Sequence, residues 1–140
     1  MSERELLCMA LDAARRAYSP YSHFCVGAAL LTAGGKVYTG CNIENASYPA
    51  TVCAERVAIH TAVADGEDDF VSIAIVGGRA EDIASEIIQG ECPPCGVCRQ
   101  VMAEFCRPDF RIILGSPNEY NVYTLAEMLP HSFGRGDMEK

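Results

Sequence analysis

The chain is short of positive charge: 11 Lys and Arg face 19 Asp and Glu in 140 residues, a formal net charge of -8. A mean field of that sign repels a phosphate backbone, so an extended nucleic acid is not an expected partner. Long apolar runs are missing as well. Cys25–Leu31 and Ile73–Val76 are the longest, far below the roughly 20 residues that a spanning helix requires. The start, Met1-Ser2-Glu3-Arg4-Glu5 with Asp12, Arg15 and Arg16 soon after, has no uncharged stretch for a signal peptide. A cytoplasmic setting with no membrane partner is therefore expected. There is no internal repeat, low-complexity tract or linker, and the length leaves no room for a second core of ordinary size. One domain over 1–140 is expected, and 49% hydrophobic against 21% charged residues is a globular composition.

What is present alternates between helical and strand patterns. Leu6, Leu7, Ala10, Ala13, Ala14 and Ala17 recur at helical spacing, so with Ser2 as N-cap an amphipathic helix is predicted over Glu3–Tyr18, ended by Ser19-Pro20-Tyr21-Ser22. Phe24–Leu31 and Lys36–Cys41 are β-prone runs joined by Thr32-Ala33-Gly34-Gly35, a hairpin. Cys53–Ala64 reads as a second helix stopped by Asp65-Gly66. Phe70–Val76 reads as a strand covered on both faces and closed by Gly77-Gly78. Ala80–Gln89 fits either a short helix or an ordered loop, packed down by Ile83, Ile87 and Ile88. Gly96–Cys106 is a third helix, and Phe110–Leu114 and Tyr120–Thr124 are strands. Thr124-Leu125-Ala126-Glu127 has the form of a capping box opening a last short helix, stopped by Pro130. Such intermixing favours an α/β fold, a central sheet with helices on both faces.

Eight cysteines in a chain without an export signal read as reduced thiols or metal ligands rather than as a disulfide framework. Two segments stand out, Thr51-Val52-Cys53-Ala54-Glu55-Arg56 and Cys92-Pro93-Pro94-Cys95-Gly96-Val97-Cys98-Arg99, each at a predicted helix start. A helix N-terminus favours the thiolate. Thiolates bind zinc, and three of them leave one tetrahedral position to water, whose pKa zinc lowers from 15.7 to about 7. Glu55 is placed at the cluster as a proton carrier. Arg56, beside Cys53, offsets the net negative charge of zinc on three thiolates, with Arg99 as a second candidate. On the residues alone other readings stay open. A structural zinc site takes Cys92 or Cys106 as fourth ligand and has no need of Glu55; a thioredoxin-like redox pair leaves Cys53 unused. Cys8, Cys25, Cys41 and Cys106 sit in apolar patterns and are expected as small core residues. His23, His60 and His131 share no ligand spacing.

The pattern Cys53-Ala54-Glu55 followed by Pro94-Cys95-x-x-Cys98 resembles the zinc deaminase signature in its all-cysteine form. Further blocks are Phe24, Val26-Gly27-Ala28-Ala29, Asn42-Ile43-Glu44-Asn45-Ala46-Ser47-Tyr48, Arg99-Gln100 and Leu129-Pro130-His131-Ser132-Phe133. With them nearly the whole chain is similar to the small homotetrameric cytidine deaminases. The resemblance implies a three-layer α-β-α sandwich with a central mixed sheet of about five strands. It implies one zinc per chain on Cys53, Cys95 and Cys98, with Glu55 as the catalytic acid and base. Phe24 is then the aromatic on the pyrimidine, and Asn42 and Glu44 are the ribose-binding pair. Ala54, Tyr48 and Phe133 are the remaining substrate contacts, the last two reaching a neighbouring subunit's site in a homotetramer. The implied reaction is hydrolysis of cytidine and 2'-deoxycytidine to the uridine forms and ammonia, in pyrimidine salvage.

Singly, Asn42, Asn45 and Ser47 also read as turn formers and Phe24 as a core aromatic. Two alternatives stand beside the nucleoside reading. One is a related aminohydrolase for another aminopyrimidine nucleoside such as a nucleoside antibiotic; the other is a non-catalytic structural zinc module. A polynucleotide-editing deaminase calls for a basic channel, against which the charge counts. The sequence departs from the family at Ala80–Glu91, longer than the link in compact members. It departs also at Pro93, which stands where the family uses a backbone carbonyl near the leaving amino group, and proline keeps that carbonyl.

Overall fold

Ser2 opens the first helix through a reciprocal pair, Glu5 N–H donating to Ser2 Oγ and Ser2 N–H to the Glu5 carboxylate. In the computed structural model, which describes residues 1–140, this helix, α1, runs Glu3–Ala14 and buries Leu6, Leu7, Ala10, Leu11, Ala13 and Ala14. It stops short of the expected Tyr18. Tyr18 N–H donates to the Asn42 carbonyl and Glu44 N–H to the Tyr18 carbonyl, so pairing with a distant segment overrides the local helical period there.

Five strands follow: β1 Phe24–Thr32, β2 Val37–Cys41, β3 Phe70–Arg79, β4 Arg111–Gly115 and β5 Tyr120–Thr124. They form one sheet in the order β2-β1-β3-β4-β5, antiparallel throughout except for the parallel pair β3/β4. β3 is longer than its apolar run. It does not close at Gly77-Gly78, because Val26, Cys25 and Phe24 of β1 pair with Gly77, Gly78 and Arg79 and carry the ladder onward. The other helices are α2 Ala54–Ala64, α3 Ala80–Ala84, α4 Gly96–Phe105, α5 Leu125–Met128 and α6 Arg135–Met138, with a single 3-10 turn at Tyr48–Ala50. Ala80–Gln89 is thus part helix and part loop, and no helix is long and apolar enough to cross a membrane.

Side-chain alternation along the strands builds two cores. Ala28, Leu30, Ile73, Ile75, Ile112 and Leu114 pack with Ala58 and Ile59 of α2, Met102 of α4 and Leu125 of α5. Ala29, Ala74, Val76 and Ile113 take the opposite face, under α1 and Ile83 of α3. This is the three-layer arrangement with a mixed five-stranded sheet, and each large side chain fully buried in it stabilises the fold by about 1.5–3 kcal/mol. Gly40 sets the height of α2 over the sheet: a Cβ there meets the Ala54 carbonyl oxygen at 2.5 Å and the Ala58 nitrogen at 2.7 Å. Of the four cysteines expected in the core, Cys25 is buried and Cys41 and Cys106 are half-buried, but Cys8 is exposed. On α1 it falls outside the stripe made by Leu7, Ala10, Leu11 and Ala14, and the helical period turns it to solvent.

Candidate metal and active site

Cys53 and Cys95 are the N-cap residues of α2 and α4, and Cys98 lies in the first turn of α4. Two helix starts therefore converge. The Cys53 and Cys95 sulfurs stand 3.8 Å apart, those of Cys95 and Cys98 3.5 Å apart, and the Cys98 N–H reaches Cys95 Sγ at 3.5 Å. At a zinc–sulfur distance of 2.3 Å, tetrahedral ligands stand about 3.8 Å apart, so these thiols fit zinc with little movement. Ligating atoms within 4.8 Å of one another come from these three cysteines alone. Cys92 and Cys106 do not join them, so the chain does not bring to the cluster the fourth sulfur that a closed structural site requires.

The Cys53 thiol is favoured as its thiolate. The Cys98 thiol, Arg56 Nη2 at 3.4 Å and the Cys95 thiol lower its pKa to about 5 against the opposing effect of burial. Arg56 thus sits at the cluster, its Nε buried without a partner. Arg99 does not. Its Nε donates to the Pro94 carbonyl and its Nη1 to the Met128 carbonyl, both at 2.8 Å, so it braces backbone rather than sulfur. Glu55 is only 4% exposed, and burial, helped by the charge of Cys53, pushes its carboxyl up to about 7. A carboxyl at that value both accepts and releases a proton near neutrality.

The expected sugar and base contacts lie on the strand ends nearby. Asn42 is buried and its amide is engaged with β1: Oδ1 accepts from Val26 N–H at 2.8 Å and Nδ2 donates to the Phe24 carbonyl at 2.9 Å. Glu44 holds a turn. Its Oε1 accepts from Tyr21 N–H at 3.0 Å and Ser22 N–H at 3.1 Å, and its Oε2 from the Ser22 hydroxyl, which in turn accepts from Phe24 N–H at 3.0 Å. Ser22 thus ties the carboxylate to the aromatic, a link that no motif signals. The turn is tight enough to place His23 at a φ of 59°. A cavity of about 390 Å³ lies beside Glu44, between Tyr21, Tyr48 and Thr51, with the two tyrosine rings edge to face at 6.2 Å. Phe24 is partly exposed, Ala54 fully buried, and Tyr48 and Phe133 are open to solvent, the Phe133 carbonyl accepting from Gln100.

Gly77 went unsignalled as a site residue, and Cys92, weighed in the sequence as a fourth ligand, packs against it instead. A Cβ at Gly77 meets Cys92 Sγ at 2.6 Å and Phe24 Cε2 at 3.3 Å, so this bare position on β3 makes room for both. Burial, with the charges of Glu55 and Cys53, pushes the Cys92 thiol up to about 11, which keeps it protonated.

Comparison with known proteins agrees with this geometry. The model of the cytidine and deoxycytidylate deaminase zinc-binding region matches residues 1–114. A cytidine deaminase of Halalkalibacterium halodurans is 44% identical over 139 residues, 99% of this chain and 98% of its own. One of Sporosarcina psychrophila is 40% identical over 139 residues, 99% of this chain and 96% of its own. The crystal structure of cytidine deaminase from Burkholderia pseudomallei superposes with a TM-score of 0.85 at 41% identity, covering 95% of this chain and 100% of that one.

Proposed function

The chain belongs to the cytidine and deoxycytidylate deaminase family, and from that premise we propose that it hydrolyses the amino group of cytidine and 2'-deoxycytidine, giving the uridine forms and ammonia. The observation that carries the reading is the trio of thiols with an almost fully buried carboxyl, Glu55, two residues from one of them. Zinc bound there is a Lewis acid that lowers the pKa of water and makes a nucleophile available at neutral pH. With zinc in place, Glu55 would take one proton from the attacking water and donate it to N3 so that C4 becomes electrophilic, then take the remaining hydroxyl proton once the C4–O bond has formed and deliver it to the amine as the C4–N bond breaks. Arg56 keeps the sulfurs from being too electron-rich for zinc to act as an acid. The Pro93 carbonyl, for which the chain supplies no hydrogen-bond donor, is free to accept from the leaving amino group.

Substrate contacts follow from the same reading. Phe24 packs on the pyrimidine, with Ala54 at the start of α2 against it. Glu44 and Asn42 bind the ribose: Glu44 has acceptor capacity left for a sugar hydroxyl, and the Asn42 amide, though bonded to β1 at Oδ1 and Nδ2, keeps a second lone pair and a second N–H. Tyr48 and Phe133 complete a neighbouring subunit's site in a homotetramer on this reading, which their exposure of 72% and 59% supports. All eight cysteines are free thiols, in keeping with a reducing cytoplasm and with a role in pyrimidine salvage. One deaminase domain over 1–140 accounts for both cores, and the acidic chain is proposed to take a small nucleoside, with no nucleic acid or membrane partner.

The test is ammonia release from cytidine, deoxycytidine, cytosine, CMP and adenosine, with zinc counted in the same preparation. Turnover of the two cytidine nucleosides well above the other three is expected. One zinc per chain without any deamination would leave a structural zinc module instead.

A further inference from the structure

Cys95 supplies a ligand yet stands outside the helix it caps, in extended backbone at φ −68° and ψ 169°, so its sulfur is placed by the residues before it. Those residues lack the usual supports. No backbone–backbone hydrogen bond involves 88–94, and what fixes the run is side chains. The chief polar anchor is Glu91: Oε2 accepts from Asn121 Nδ2 at 2.9 Å, and both carboxylate oxygens from the Tyr123 hydroxyl, at 3.0 and 2.8 Å. The donors are themselves rigidly held. Asn121 and Tyr123 share one face of β5 and pair in register with Leu114 and Ile112, both fully buried.

We propose that Glu91 is a positioning residue for the metal: its carboxylate, gripped by the edge strand, fixes the unbonded run that sets the Cys95 sulfur and so governs how firmly zinc is retained. The inference rests on the zinc reading of Cys53, Cys95 and Cys98. It gives the long Ala80–Glu91 link a task, because that link delivers Glu91 to β5 before the chain turns back to the sulfurs. Asn121 and Tyr123 follow some 30 residues later in sequence, which is why no local motif reveals the clamp.

The experiment is the rate at which the zinc-loaded full chain surrenders metal to a chromogenic chelator, read beside KM and turnover per bound zinc. Glu91→Ala should lose zinc about tenfold faster, and Tyr123→Phe should move the same way by less. Both should keep KM and turnover per loaded site. Glu91→Gln, whose amide oxygen still accepts, should restore most of the retention. The double variant Glu91→Ala/Tyr123→Phe should be no faster than Glu91→Ala alone, since both cut one clamp. Folded Glu91→Ala with unaltered zinc release, or a double variant that adds the two single effects, would overturn the proposal. If Glu91→Ala does not fold, Tyr123→Phe decides, and unaltered release from it would overturn the proposal equally. An unmodified chain that binds no zinc would instead remove the metal site itself.

Discussion

The two helix starts that meet at the sulfurs are held in different ways. On the Cys53 side, Val52 and Ile43 exchange backbone hydrogen bonds at 3.0 Å just before the ligand. Behind it Ala54, Ala58, Ile59 and Ala62 of α2 are fully buried against the sheet. On the Cys95 side there is no backbone ladder, only Glu91 on β5, Cys92 seated over Gly77, and Arg99 holding the Pro94 carbonyl. Glu55, the group whose position a proton transfer senses most acutely, lies on the first side. The side with two of the three ligands is thus the one set by side-chain contacts rather than by a backbone ladder.

Altering the rigid side chemically should have the largest effect. Glu55→Gln should keep zinc and lower turnover by about a thousandfold, within the range general acid–base groups contribute; near-normal ammonia release would take Glu55 out of the reaction. Next come two glycines that separate the sides mechanically. Gly40→Ala drives a Cβ into α2 backbone, and overpacking of about 1–3 kcal/mol should lower Tm by about 3–10 °C. Gly77→Ala meets side chains first, Cys92 and the Phe24 ring edge, rather than backbone, so Tm should fall less while zinc release quickens. Equal Tm losses in calorimetry, with zinc retention untouched in both, would erase the distinction.

Glu44→Ala sharpens it further, because Glu44 belongs to neither side. Loss of a charged acceptor for a sugar hydroxyl should raise KM for cytidine about tenfold or more without changing zinc content. An unchanged KM would leave Glu44 as a turn former only. The smallest effect is on pH. The Ser22 hydroxyl, with the Ser22 and Tyr21 amides, holds the Glu44 carboxyl below its ordinary 4.5. A carboxyl depressed in the folded state stabilises above the unfolded pKa and ceases to as pH falls through the lower folded value. The urea midpoints of the unmodified chain and Glu44→Gln should therefore differ at pH 7 and draw together as the pH falls below the ordinary 4.5 and through the lowered folded value. A constant gap would separate that stabilisation from the charge.

How legible each part is follows from the range of the forces that form it. The Ser2 and Thr124 capping boxes and the two cysteine-capped helix starts are each written in residues a few positions apart, and the ligands with Glu55 fall into two such short segments, Cys53–Glu55 and Cys95–Cys98. Reading α1 on to Tyr18 fails because the backbone of Tyr18 pairs with Asn42 and Glu44. Closing β3 at Gly77-Gly78 fails for the same reason, since β1 supplies partners that no local pattern announces. Asn42 and Glu44 are recognisable as polar residues after a strand, but their bonds to Phe24, Val26, Tyr21 and Ser22 come only with the folded hairpin. Arg99 stands one residue from a ligand, yet its guanidinium turns to Met128, 29 residues on.

The most direct measurement is X-ray absorption at the zinc edge of the purified, active chain. Three sulfur neighbours and one lighter oxygen or nitrogen atom are expected, matching the three clustered thiols and a position left for water. Four sulfur neighbours, or full activity from protein holding no zinc, would contradict it.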